Sequence, residues 1–267
     1  MSLFHLILVA LIQGITEFLP VSSSGHLILL PALTGMEDQG QMIDIAVHVG
    51  TLFAVMLYFR SDVQVAATGL PRLVRGKVDT QGAWLALLLI VSTIPVLLFG
   101  LALKLTGFDA HLRSVALIGW TMLIFGIVLY WTDQKGEVTK TAPQWSIKDA
   151  VTMGVWQALA LIPGTSRSGA TISGARSLGY AREDAAKLAM LMSIPTILAS
   201  GLLLGYEVVG DANLALAKDA AIAAVLSFIA ALFALSLMMR LLKSVSFTPY
   251  VIYRIFLGIA LLGYAYS

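Results

Sequence analysis

The feature that most constrains this chain is a set of long runs carrying no charge. Ala83–Leu103 is 21 residues long, Ala220–Met239 is 20, and Ser114–Thr132 and Leu188–Tyr206 are 19 each. At about 1.5 Å per residue, each run is long enough as a helix to cross roughly 30 Å of hydrocarbon. A helix in a soluble domain keeps a polar face over such a length. Composition agrees, with 58% hydrophobic and only 12% charged residues, against about 25% charged in soluble domains. The expected fold class is therefore an all-α polytopic membrane protein. The absence of cysteine excludes disulfides and thiolate metal sites. A net charge of +2 fits basic membrane loops better than nucleic-acid binding, so no nucleic-acid partner is expected. The apolar N-terminus lacks a basic leader and an evident cleavage site, so it reads as part of the fold.

The pattern predicts about ten helical segments, near 3–18, 22–34, 43–60, 83–104, 113–132, 148–162, 168–178, 184–206, 219–241 and 249–266, with polar loops at 61–82 and 133–147. The chain also repeats itself weakly. Gln13 and Gln157 are 144 residues apart, and the same offset pairs Ser22 with Ser166, Ser24 with Ser168 and Gly25 with Gly169. The runs starting at Gly50-Thr51 and Pro195-Thr196 match at an offset of 145. A duplicated unit follows, with residues 1–132 as the first membrane repeat and 148–267 as the second, within one membrane domain. The first two segments of each half are short and broken by Pro20 or Pro163-Gly164, which reads as a re-entrant helical hairpin. Such interrupted pairs at matching places point to a binding site. Basic residues concentrate in 60–82, 133–148 and 240–247, whereas 35–44 and 207–219 are acidic, which puts the first three loops in the cytoplasm. With two hairpins and six spans, all these loops fall on their expected sides and the repeats have inverted topology; a pair of full spans in place of the first hairpin would leave the parity the same, so loop charge speaks for inversion and not for re-entrance.

Two polar clusters sit at the hairpins. In the first, Gln13 and Glu17 share one helix face, and Pro20 leads into Ser22, Ser23, Ser24, Gly25 and His26. In the second, Pro163, Gly164, Thr165 and Ser166 precede Arg167, Ser168, Gly169 and Thr171. Ionisable groups at membrane depth are costly and mark function. Arg167 needs an anion, either Glu17 or a phosphate, for which the forked guanidinium is well suited. Helices starting near Ser22 and Ser166 would aim their N-termini at that anion. Together these groups supply phosphoryl chemistry: a serine nucleophile, Glu17 as base or divalent-cation ligand, His26 as acid, and Arg167 with the helix termini for charge. No P-loop or zinc-protease spacing is present. His48, four residues after Asp44, could line the site but reads first as a packed histidine, Arg254 as shallow enough to snorkel, and His5 and His111 as interfacial.

The run from Gln13 through Glu17-Phe-Leu-Pro-Val-Ser-Ser-Ser-Gly-His26, and the run Pro163-Gly-Thr-Ser-Arg-Ser-Gly-Ala-Thr171, closely resemble the two signature motifs of the undecaprenyl-diphosphate phosphatase family of the bacitracin-resistance type. The resemblance covers the whole chain. It implies removal of the terminal phosphate of undecaprenyl diphosphate, recycling the C55 carrier for cell-wall polymer synthesis in the bacterial cytoplasmic (inner) membrane. It implies a divalent cation, Mg²⁺ or Ca²⁺, with Glu17 as the firmer base or metal ligand because Gln13 stands at the family's first acidic position. Ser22, Ser23 and Ser24 match its serine stretch, His26 its histidine and Arg167 its arginine. Ser166, Ser168 and Thr171 match further motif positions, and Gly164 and Thr165 complete the substrate-binding set. Ser23 is the favoured nucleophile, with Ser22 or a metal-bound water as alternatives. Membrane lipids are the expected surroundings and a homodimer the candidate assembly. The competing function is a lipid flippase or ion-coupled transporter, since inverted repeats serve alternating access.

Overall fold

The computed structural model describes residues 1–107, 112, 114–208 and 214–267, with the backbone alone for 32–33, 204–208 and 214–215. Among these, eleven α-helices and one short 3₁₀ turn (Ala142–Gln144) account for the regular structure, and no strand is formed beyond a single bridge between Lys140 and Tyr180. Six helices have the length and composition of membrane spans: α3 (Gln41–Tyr58), α5 (Gln81–Thr106), α6 (Val115–Lys135), α9 (Arg182–Val208), α10 (Leu214–Leu241) and α11 (Thr248–Tyr266). The chain is a multi-pass membrane protein. Its lipid-type surface shows in exposed side chains such as Leu98, Phe99, Leu202, Phe233 and Phe256.

Four helices that flank the two chain breaks are too short to cross. These are α1 (Leu3–Thr16), α2 (Ser23–Thr34), α7 (Ile147–Leu159) and α8 (Arg167–Ser177), of 14, 12, 13 and 11 residues. At about 1.5 Å per residue each covers only about 15–20 Å. The return of the second pair is direct. Tyr180, just past α8, donates from its hydroxyl to Asp149 in the first turn of α7 at 2.7 Å. At that same end Asp133, 1% exposed, accepts from Arg182 at 2.7 Å and from the Phe247 N–H at 3.2 Å, and pairs with buried Arg176. The chain start lies beside the beginning of α10, where the N-terminal ammonium meets Asp219 at 3.3 Å.

Packing partners exchange between the halves in a regular way. Helix α1 packs on α10 and α7 on α5; α3 packs on α10 and α9 on α5; α6 packs on α11 and α3 on α9. The loops expected in the cytoplasm do gather at one end, since the Trp84 indole donates to the Trp145 carbonyl at 3.4 Å and Lys187 pairs with Asp62 at 2.8 Å. Between spans, small residues permit close approach. A Cβ on Gly50 of α3 would lie 2.2 Å from the Ala224 carbonyl oxygen of α10, and alongside it the Ser227 hydroxyl donates to the Val47 carbonyl at 2.8 Å.

The segment expected as a polar loop at 61–82 contains a helix, α4 (Arg60–Val74). Its charges and Pro71 hide the helical pattern, but Gly69 lets its backbone rest on Gly82 of α5. His5, expected at the interface, is 7% exposed because α1 lies along α10. His111 and Asp211 lie outside the described residues, as does the Glu207 side chain. Substituting Gly50→Val should lower stability by about 1–3 kcal/mol, read as a lower unfolding temperature of the detergent-purified protein; an unchanged temperature would mean that α3 and α10 are not locked at this point.

Candidate active site

Both hairpins break in the same way. Ser22 and Ser166 precede α2 and α8, and both hold a positive φ, 72° and 71°, the only non-glycine residues to do so among those described. This left-handed backbone is uncommon outside glycine and marks functional strain. Each serine uses its hydroxyl as an N-cap, accepting from the Gly25 N–H at 3.4 Å and the Gly169 N–H at 3.1 Å. The hydroxyl pairs Ser22–Ser24 and Ser166–Ser168 repeat the motif at 3.5 and 3.1 Å. The hairpins interlock, because the Ser168 hydroxyl donates to the Leu19 carbonyl at 2.9 Å. A Cβ on Gly164 (φ 87°) would strike the Thr121 hydroxyl of α6 at 2.1 Å, so only glycine fits this turn.

Glu17 caps the C-terminus of α1 and is the hub of the site, 7% exposed. Its Oε2 accepts from the Ser23 hydroxyl at 2.6 Å and from the Gln13 amide at 2.8 Å. Its Oε1 accepts from Arg167, which joins the first hairpin to the second. The other end of the guanidinium donates to the Ser193 carbonyl of α9 at 3.2 Å. His48 Nε2 stands 3.8 Å from Glu17 Oε2, while its Nδ1 lies 2.7 Å from the Asp44 carbonyl.

A cavity of about 280 Å³ opens beside this cluster. Glu17, Ser22, Ser23, Ser24, Ser166 and Arg167 line it, together with His48, Gln157, Thr196 and Ser200. An apolar wall completes it, formed by Val96 of α5, Ala160 and Leu161 after α7, and Ile197 of α9. The N–H groups of a helix's first turn lack intrahelical partners, so the starts of α2 and α8 offer donors here as well as a positive dipole end.

The remaining expected site residues do not line the cavity. Gln13 is fully buried and bonds to Glu17. Thr171 donates back to the Arg167 carbonyl at 2.8 Å, and Thr165 and Ser168 are buried in the hairpin junction. His26 faces α11: its Nδ1 lies 2.7 Å from the Ser22 carbonyl and its Nε2 2.6 Å from the Tyr253 hydroxyl, with the two rings stacked. Conversely His48, expected to be packed, lines the cavity because α3 passes alongside α1. Gln157 and Thr196, bonded at 3.0 Å, are further lining groups that sequence reasoning did not place in the site. Both stand at matched positions of the internal repeat, opposite Gln13 and Thr51, and that matching could have flagged them.

Arg254 is the largest departure from expectation. It is 0% exposed rather than snorkelling, and it donates to the carbonyls of Pro20 at 3.1 Å, Gly164 and Thr165 at 3.0 Å each, Met122 at 3.3 Å and Thr121 at 3.4 Å. Sequence depth placed it near a membrane surface. The broken hairpins instead bring unpaired carbonyls to meet it.

Six spans closing around two half-helix hairpins, with a carboxylate, hydroxyls and a guanidinium at the tips, define a membrane protein with an anion-handling site. Residues 6–260 match the family model described as "Bacitracin resistance protein BacA", and the chain belongs to that family. It is 72% identical over 267 residues to an undecaprenyl-diphosphatase of Dinoroseobacter shibae and 69% identical to one of Roseobacter denitrificans, each over all of both chains. A more distant relative of the same name, from Maricaulis maris, is 45% identical over 98% of each chain.

Removing one partner of the Glu17–Arg167 pair strands a buried charge. Glu17→Ala and Arg167→Ala should each destabilise by about 3–5 kcal/mol. The double variant should cost less than their sum by about 1–3 kcal/mol. Thermal unfolding of the three variants checks this, and strict additivity would contradict the pairing.

Proposed function

We infer that this chain is an undecaprenyl-diphosphate phosphatase, an enzyme that releases the terminal phosphate of an undecaprenyl diphosphate. The observation carrying this reading is the Ser23 hydroxyl at 2.6 Å from Glu17 Oε2, beside Arg167 and two helix N-termini in one cavity. The polar side of the cavity suits a diphosphate, and the wall of Val96, Leu161 and Ile197 suits an isoprenyl tail leaving between α5 and α9. Family membership and the names of full-length relatives support the same substrate.

The residues then take the following roles. Ser23 Oγ attacks the terminal phosphorus, its proton passes to Glu17 Oε2, and the bond from phosphorus to the bridging oxygen breaks, releasing undecaprenyl phosphate. Glu17 gives that proton to the departing undecaprenyl phosphate, then takes one from the water that attacks the phosphoserine and returns it to Ser23 Oγ as the ester bond breaks and inorganic phosphate leaves. Ser22 is less suited to attack, since its hydroxyl is engaged as the α2 cap. Arg167, paired with Glu17 in the structure, turns its fork to the phosphoryl oxygens when substrate binds. Its charge and the two helix N-termini stabilise the transferring group. His26 shapes the turn through the Ser22 carbonyl, and it can offer a proton to the cavity only by releasing Tyr253.

A divalent cation, Mg²⁺ or Ca²⁺, belongs to this proposal. Magnesium is commonly held by one or two carboxylates plus substrate phosphates. No group of three or more acidic, histidine or cysteine side chains is gathered among the described residues. Glu17 alone, with the diphosphate oxygens, fits that mode, and the Gln13 amide oxygen beside it is buried without a hydrogen-bond partner. When bound, the cation would offset charge on the diphosphate.

We place the protein in the bacterial cytoplasmic membrane, recycling the C55 carrier for cell-wall synthesis. The exchange of packing partners between α1–α6 and α7–α11 supports two membrane repeats of inverted topology. Purified protein should release phosphate from undecaprenyl diphosphate, with Glu17→Ala and Arg167→Ala each reducing kcat by about 10²–10³-fold and chelator abolishing turnover. Absence of release from the wild type would refute the reading and leave a lipid transporter as the better account.

A further inference from the structure

Arg254 has no assigned role in the chemistry, yet it is among the most completely enclosed charges in the chain. Its side chain is fully buried, and every hydrogen bond it makes among the described residues goes to a main-chain carbonyl. Burying a guanidinium is costly, and because it stays charged in proteins it cannot escape the cost by losing its proton. A residue retained there must supply something an apolar side chain could not.

What it supplies is visible in the ownership of the carbonyls. Pro20 belongs to the break of the first hairpin, Gly164 and Thr165 to the break of the second, and Thr121 and Met122 to α6, on which the second hairpin rests. Chain breaks between helices leave carbonyls without helical donors. Arginine brings five N–H groups in a rigid plane, enough to serve several separate acceptors at once. The Pro20 bond lies two residues before Ser22, and the Thr165 bond is adjacent to Ser166, the two residues held at positive φ. The same clamp is tightened by the Thr121 hydroxyl, which donates to the Pro163 carbonyl at 2.6 Å.

We propose that Arg254 is a positioning residue for release of the terminal phosphate, clamping the Pro20–Ser22 and Gly164–Ser166 turns in register so that Ser23 and Glu17 face the same phosphorus as Arg167. This rests on the function proposed above. Arg254 touches none of the reacting atoms; it fixes the relative placement of the two turns that carry them. Misplacement of a catalytic group by about 1 Å costs on the order of 100-fold in rate.

The test uses full-length protein in detergent, with undecaprenyl diphosphate as substrate and phosphate release as readout. Arg254→Met keeps the length and apolar stem but removes the charge and all five donors. It should lower kcat about 100-fold while KM stays within about threefold, because the diphosphate contacts remain but the geometry between them loosens. Arg254→Lys, which retains charge and some donors, should recover at least about tenfold of that loss. Activity is normalised to the folded fraction from thermal unfolding. A folded Arg254→Met with wild-type kcat overturns the inference, as does a loss that vanishes on normalisation, or a folded Arg254→Lys no better than Arg254→Met. Should Arg254→Met fail to fold, Arg254→Lys decides alone: reduced kcat at unchanged KM supports the clamp, and wild-type kcat overturns it. Wild-type protein that releases no phosphate overturns both claims through the function reading, whereas wild-type turnover matched by Arg254→Met overturns this one alone.

Discussion

The ion pair between Glu17 and Arg167 is the constraint on which this molecule depends, because it joins residues 150 positions apart at the tips of two hairpins. Neither charge could stay in an apolar interior alone. A buried pair repays its desolvation only when its remaining donors and acceptors are also met. Here the Ser23 hydroxyl and the Gln13 amide complete the carboxylate, and the Ser193 carbonyl takes the far end of the guanidinium. The result is a polar knot held inside apolar spans, poised to exchange one anion for another.

The half-helices explain why that knot forms at depth. A continuous span would keep its N–H and C=O groups to itself. Stopping α1 at Thr16 and restarting at Ser23, and stopping α7 at Leu159 and restarting at Arg167, exposes main-chain donors and acceptors within the membrane region. Irregular backbone is tolerated there only where protein or a polar cavity receives it. The donors at the starts of α2 and α8 face the cavity. The carbonyls on the other side go to Arg254 and to the hydroxyls of Ser168 and Thr121. One break therefore serves two purposes, an anion site in front and a cationic clamp behind.

Much of this was legible in the sequence. The uncharged runs located four of the six spans and the apolar segments 43–60 and 249–266 the other two, while Pro20 and Pro163-Gly164 located the hairpin tips. The acid, the serines and the arginine of the two motifs do meet. What the sequence hid was decided by packing. Helix α4 carries no long apolar run, and it is held by the Gly69–Gly82 approach and the Lys187–Asp62 pair. Depth along α11 gave no sign of Arg254's role, because its acceptors come from three distant segments. His48 enters the cavity through the course of α3 beside α1, which no local pattern reports. The two-residue shift from Ser24 to His26 turns that side chain from the cavity toward Tyr253, a consequence of helical geometry once the start of α2 is fixed.

The account's central claim is that both hairpins act on one phosphorus atom. An experimental structure with a non-hydrolysable methylene analogue of the lipid diphosphate would test it most directly. The account predicts the terminal phosphorus about 3–3.5 Å from Ser23 Oγ, with the Arg167 fork moved from Glu17 onto its oxygens and the tail passing between α5 and α9. A diphosphate bound away from Ser23, with the Glu17–Arg167 pair intact, would contradict it.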